Sequence, residues 1–142
     1  MLDPNIDLDA FDDWQKAQEE GVEVPIYKPG TRDVLFAIRV AGPDSERFEA
    51  AEQRAIEERV AAQGPLSRNE EVEAGARFLA RISIAWTLKD RSGKPVKFTE
   101  EAATKLFREY KMIRKAVDGV AGNRNRFTPR SSTASAEPSA TS

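Results

Sequence analysis

At 142 residues, with 39% hydrophobic and 32% charged positions, the chain has material for one domain with tails around a thin core. Lys+Arg number 22 against 24 Asp+Glu, a net charge of -2 that gives no overall attraction to nucleic acid. Without cysteine or histidine there is no disulfide framework, no thiolate chemistry, and neither the commonest general base nor the commonest metal ligand.

The charge is uneven. Residues 1–20 hold seven acids (Asp3, Asp7, Asp9, Asp12, Asp13, Glu19, Glu20) against Lys16, whereas residues 105–130 hold eight bases against Glu109 and Asp118. A solvated acidic tail and a cationic helix end account for this; attraction between the two ends, or an acidic partner for the basic end, is the sharper reading. The N-terminus lacks the basic stretch and apolar core of a signal peptide. No apolar run nears the roughly 20 residues that span a bilayer. The expected location is the cytoplasm.

In the acidic segment 1–21, Leu8, Phe11 and Trp14 recur every three residues, so a short helix lines them on one face and Gly21 ends it. Such a helix is marginal alone and forms by docking, on this domain or on a partner. From Val22 the period changes to two. Val22, Val24 and Ile26 alternate, Pro29-Gly30 marks a turn, and Val34, Phe36, Ile38 and Val40 alternate again, which is a β-hairpin pattern. Pro25 has no N–H and confines the first strand to an edge or a bulge. A lone hairpin is marginal, so helices must cover its apolar face.

Ala41-Gly42-Pro43 breaks the second strand, and Asp44 is placed to cap the helix that follows. That helix carries a narrow stripe of Phe48, Ile56 and Val60 flanked by Ala51 and Ala55, and Gly64-Pro65 stops it. Ser67 and Glu70 form a capping box for the next helix, in which Val72, Ala76, Leu79, Ser83 and Trp86 make one stripe widened by Phe78, Ile82 and Ala85. This wide apolar face predicts the core helix, running to Trp86. Asp90 to Gly93 is a polar turn. Thr99 caps a further helix with Glu100 and Glu101 at its positive end, and Ala103, Leu106, Phe107 and Tyr110 face inward. A short break near Tyr110-Lys111 precedes a last helix through Ile113, Ala116, Val117 and Val120, ending around Gly122.

Residues 128–142 are rich in Ser, Thr, Ala and Pro, hold no large apolar side chain, and are expected to be disordered. The fold class is therefore α+β: a single domain over residues 22–127, with a β-hairpin packed with a bundle of about four short helices. Its expected core is Phe36, Ile38, Phe48, Leu79, Ile82, Trp86 and Leu106.

No constellation reads as a catalytic site. The carboxylate pairs Glu57-Glu58 and Glu70-Glu71 are neighbours on helices, about 100° apart, and do not converge on a substrate. Asp7, Asp9, Asp12 and Asp13 lack the glycine and terminal glutamate of a calcium loop. Gly119 and Gly122 belong to no phosphate-cradling pattern. No enzyme activity, metal or cofactor is expected. Lys111, Arg114, Lys115, Arg124, Arg126 and Arg130, with Phe127 beside them, are able to contact phosphates. Dipole stabilisation at a helix end supplies the same residues, so nucleic acid is the weaker reading.

The order of features resembles the tail assembly chaperones of long-tailed, siphovirus-like bacteriophages and prophages. The similarity lies in Val40-Ala41-Gly42-Pro43-Asp44-Ser45-Glu46-Arg47-Phe48 closing a hairpin, then Leu79-Ala80-Arg81-Ile82-Ser83-Ile84-Ala85-Trp86. It continues through Asp90-Arg91-Ser92-Gly93-Lys94-Pro95, Phe98-Thr99-Glu100-Glu101-Ala102-Ala103-Thr104-Lys105-Leu106, Tyr110-Lys111-Met112-Ile113-Arg114 and Asn123-Arg124-Asn125-Arg126-Phe127. It covers about residues 22–127. Lys111 stands where the family often has proline, which leaves one long helix as the alternative to a break.

The resemblance implies a non-enzymatic protein of the bacterial host cytoplasm, absent from the mature virion. Such chaperones bind the tape measure protein, a long helical rod, and keep it soluble until tail tube protein polymerises around it. They often have a longer form made by ribosomal frameshifting, which here would extend from the region of Thr128. A groove beside the C-terminal helices is the expected client site, with Phe107, Tyr110, Met112, Ile113, Arg124 and Phe127 as candidate contacts. The alternatives are a small phage structural or head–tail adaptor protein retained in the virion, and a DNA-binding protein using the basic C-terminal region.

Overall fold

The computed structural model of the chain describes residues 8–129. The expected disorder from residue 130 onward, together with Asp3, Asp7 and Arg130, lies outside the described residues. The order of elements is α1 (Leu8–Glu20), β1 (Val22–Tyr27), β2 (Val34–Val40), α2 (Glu46–Ala62), α3 (Arg68–Ile82), β3 (Ser83–Trp86), α4 (Glu100–Glu109), α5 (Lys111–Ala121) and a closing 3-10 turn (Arg124–Phe127). The class is α+β, with the hairpin and helices expected from the sequence.

The strands form an antiparallel sheet in the order β1-β2-β3. Val24 pairs with Ile38 and Ile26 with Phe36, so the alternating apolar residues of the hairpin share one face. Pro25 sits opposite Ala37. Ala37 turns its N–H and C=O to Thr87 on the other side (2.9 and 3.0 Å), so the position of the missing Pro25 N–H points away from the ladder. Edge placement of Pro25 follows.

The third strand is a correction to the sequence reading. Helix α3 ends at Ile82, and Trp86 lies on β3 instead of on a helical stripe. Residues 82–88 satisfy two periods, because Ile82, Ile84, Trp86 and Leu88 also alternate. The open edge of β2 decides between them, with Ile38 pairing with Trp86 and Arg39 with Ala85. The Ser83 hydroxyl donates to Leu79 C=O at 2.7 Å and satisfies one of the carbonyls that the ended helix leaves open. Trp86 remains half-buried, packs edge-to-face on Phe98 with centroids 5.0 Å apart, and donates its indole N–H to Val96 C=O at 2.8 Å.

Two further corrections concern α2. Its N-cap is Ser45, whose hydroxyl accepts from Phe48 N–H, so Asp44 is free for another task. Ile56 and Val60 are exposed, and only Phe48 and Ala51 of the expected stripe are buried. Phe48 meets Phe78 of α3 edge-to-face at 5.2 Å. Farther along, α2 is tied to α3 by charge. Glu58 accepts from both terminal nitrogens of the largely buried Arg81 (3.2 and 2.6 Å) and from the Arg77 Nε at 3.4 Å. The capping box at Ser67 and the Thr99 cap of α4 form as expected.

The core gathers one face of the sheet with α3, α4 and α5. Ile38, Ile82, Phe107, Val117 and Phe127 have no exposed surface, and Phe36, Phe48 and Leu79 are buried with them. Leu106 and Trp86 pack at its border. Helix α1 docks on this domain through Ala17 and Gln18, while Leu8 and Phe11 of the expected apolar face stay exposed. Gly21 ends it with φ +79°, a conformation suited to glycine.

Gly42 is required by close approach. A Cβ there would overlap the Gln18 side-chain oxygen and come within 2.9 Å of the Phe127 ring. Gly42→Ala is expected to destabilise the chain by about 1–3 kcal/mol, the usual range for overpacking, as measured by chemical denaturation.

Candidate functional site

The expected client contacts separate into four groups. Phe107 and Phe127 are both 0% exposed and belong to the core, so neither has a surface to offer a client. Phe107 faces inward because α4, packed against α3 and α5, presents Ala103 and Phe107 one turn apart to the core. Phe127 is drawn in by the gap that Gly42 leaves. Ile113 is half-buried against the same core. Tyr110 and Met112 are exposed, at 55% and 59%.

Arg124 is engaged within the domain. Its Nε and Nη2 meet the two Asp44 carboxylate oxygens at 2.6 and 2.7 Å, a bidentate pair. Asp44 Oδ2 also accepts the Trp14 indole N–H at 3.1 Å. The task left to Asp44 is thus to join α1, the start of α2 and the closing turn.

Beside it, Gln18 is wholly buried and all its polar atoms have partners. Its amide N–H donates to Phe127 C=O at 3.3 Å and Arg124 C=O at 3.5 Å, and its side-chain oxygen accepts Asp44 N–H at 3.0 Å. Gly42 N–H donates to the Gln18 backbone oxygen at 2.8 Å.

The break between α4 and α5 is present despite Lys111. Tyr110 has φ -118° and ψ 96°, closing α4 through Leu106 C=O and opening α5 by accepting Arg114 N–H. Arg114 replaces a capping glycine: Nη1 donates to Phe107 C=O at 2.8 Å and Arg108 C=O at 3.3 Å, the open carbonyls of α4. Arg114 and Arg124 therefore have structural partners, which divides the basic cluster and removes two of its expected phosphate contacts.

Near the break, the first turn of α5 meets the end of the hairpin. A hollow of about 190 Å³ is bordered by Pro25, Tyr27, Pro29, Met112 and Ala116. Tyr27 pairs across the hairpin with Val34, and both are exposed, as is Leu35. Tyr27, Val34 and Leu35 did not stand out in the sequence reading, which placed Val34 on the covered face. The bulge between Ile26 and Tyr27 shifts the register there, and the first two residues of β2 lie clear of the core. The alternation of Val22, Val24 and Ile26 already put Tyr27 outward, and that was the available signal.

Among the described residues no helix is long and apolar enough to cross a membrane. No family model matches the chain, and no curated protein or solved structure matches it either.

The Arg124 guanidinium, chiefly through its hydrogen bonds, and the Trp14 indole hold the Asp44 carboxyl below the usual range, against the opposing effect of burial. Arg81, and after it Arg77, do the same to Glu58. A depressed folded-state value contributes stability that is full above the ordinary carboxylate range and is lost as pH falls through the folded value. Thermal stability should therefore be level from about pH 8 to 5 and fall below about pH 4. Asp44→Asn should melt below the parent at pH 7 and approach it near about pH 3, as followed by circular dichroism.

Proposed function

We propose that the chain is a non-enzymatic tail assembly chaperone of a siphovirus-like phage or prophage, acting in the host cytoplasm on the tape measure protein. The observation that carries the reading is the uncovered apolar surface where the hairpin end meets the first turn of α5: Tyr27 and Met112 border a hollow, Val34 is exposed opposite Tyr27, and Tyr110 is exposed at the adjoining break. Exposed apolar side chains grouped in this way suit an amphipathic helix, the form of client that the resemblance implies.

The physical mechanism is mass action. A chaperone on an apolar helical stripe lowers the concentration of the aggregating form, and polymerising tail tube protein then displaces it. Cofactors have no part in this scheme. A longer frameshifted form would carry the same surface, with its extension starting after the closing turn. The DNA-binding alternative loses support because Arg114 and Arg124 are used internally. The adaptor alternative differs by its fate, since an adaptor stays in the virion.

Co-production with the tape measure protein of the same phage should raise the soluble fraction of that client. Met112→Asp, at an exposed position, should abolish most of the gain while leaving the melting temperature within a few degrees of the parent. No gain in client solubility with the parent chain, or its recovery in purified virions, would overturn the proposal.

A further inference from the structure

A second hollow, of about 500 Å³, lies between α2, α3 and α5, away from the hairpin. Its apolar surface comes from Val72 and Phe78, and its border carries Arg59, Arg68, Arg114 and Lys115 against Glu71 and Asp118. Arg59 pairs with Glu71 at 3.1 Å, whereas Arg68 and Lys115 make no ion pair among the described residues. Gly75 also lines it, and a Cβ built there meets nothing within 4 Å. The site is therefore an apolar trough with an excess of cations, open beside a helical glycine.

The same chain carries a segment with the opposite properties. In α1, Leu8, Phe11, Gln15 and Gln18 fall on one helical face. The C-terminal half of that face docks on its own domain through Gln18, but the face continues past the body, leaving Leu8 and Phe11 at 48% and 65% exposure. Residues 1–20 hold seven acids against one base. Gln18 is hydrogen-bonded to Asp44, Arg124 and Phe127, which holds α1 against the closing turn, while the trough is formed by α2, α3 and α5.

We infer that the trough receives the N-terminal half of α1 from a second copy of this chain, with Leu8 and Phe11 as i and i+3 anchors and the basic border facing its carboxylates. Apolar anchors of this spacing in a groove are a known mode of helix recognition. The contact is heterologous: each copy uses one surface to give and another to receive. Such contacts build rings or open filaments instead of a self-limiting twofold dimer.

The test measures the mass of the full chain by size-exclusion chromatography with light scattering over a wide concentration range. The parent should exceed its monomer mass of 15.8 kDa as concentration rises and return toward it in high salt, because the charged border is exposed. Phe11→Ser removes the anchor and should weaken association by about tenfold or more. Gly75→Glu fills and charges the trough, and it should do the same with no loss of thermal stability, since it replaces a helical glycine at an open position. An equimolar mixture of the two variants retains one helix and one trough, and should form a dimer and nothing larger. A parent chain that stays monomeric at every concentration would overturn the inference. Association that neither variant weakens, or a mixture that forms no dimer, would do so equally.

Discussion

The segments that close this fold meet around one buried residue, Gln18. Gln18 hydrogen-bonds residues that lie 26 and 109 positions away, and Gly42 reaches its backbone oxygen. A buried glutamine with unmet bonds costs about 1–3 kcal/mol per orphaned group, so the three segments around Gln18 are bound to arrive together. Gly42 leaves room for the amide on one side and for the Phe127 ring on the other. Asp44, two residues on, adds its bidentate pair with Arg124 and its bond to Trp14. The start of the domain, the exit of its central strand and its last turn thereby become one unit.

Many of the residues on which the proposed chaperone resemblance rests have structural work in this arrangement. Gly42 and Asp44, near the first quoted motif's start, meet Phe127 and Arg124 of the last. Trp86 of the second packs on Phe98 of the fourth. The resembling residues are largely those that hold the scaffold together. Of the exposed apolar residues, Tyr27, Val34 and Leu35 lie outside those motifs, whereas Tyr110 and Met112 lie within one.

Local chemistry made much of the fold legible in the sequence. The hairpin, the Ser67 capping box, the Thr99 cap, the end of α1 at Gly21 and the break at Tyr110 each depend on residues within a few positions of one another. The failures have a common cause in distance. Asp44 is a good N-cap by type, yet Arg124 claims it from 80 positions away and Ser45 takes the cap. Residues 83–86 fit a helix and a strand equally, and the vacant edge of β2 chose the strand. Phe127 stands in a basic, polar stretch that gives no sign of burial until Gly42 is seen beneath it. The candidate site was legible at Tyr110 and Met112 and hidden at the hairpin end, where Tyr27 and Val34 lie clear of the core beside a bulge.

The claim that Gln18 and Phe127 belong to one cooperative closure is tested most directly by a double-mutant cycle. Unfolding free energies are measured for Gln18→Ala, Phe127→Ala, the double variant and the parent. Groups that share one packed cluster couple by about 0.5–3 kcal/mol, so the double variant is predicted to lose well under the sum of the two single losses. Additive losses, within the error of the denaturation curves, would contradict the account.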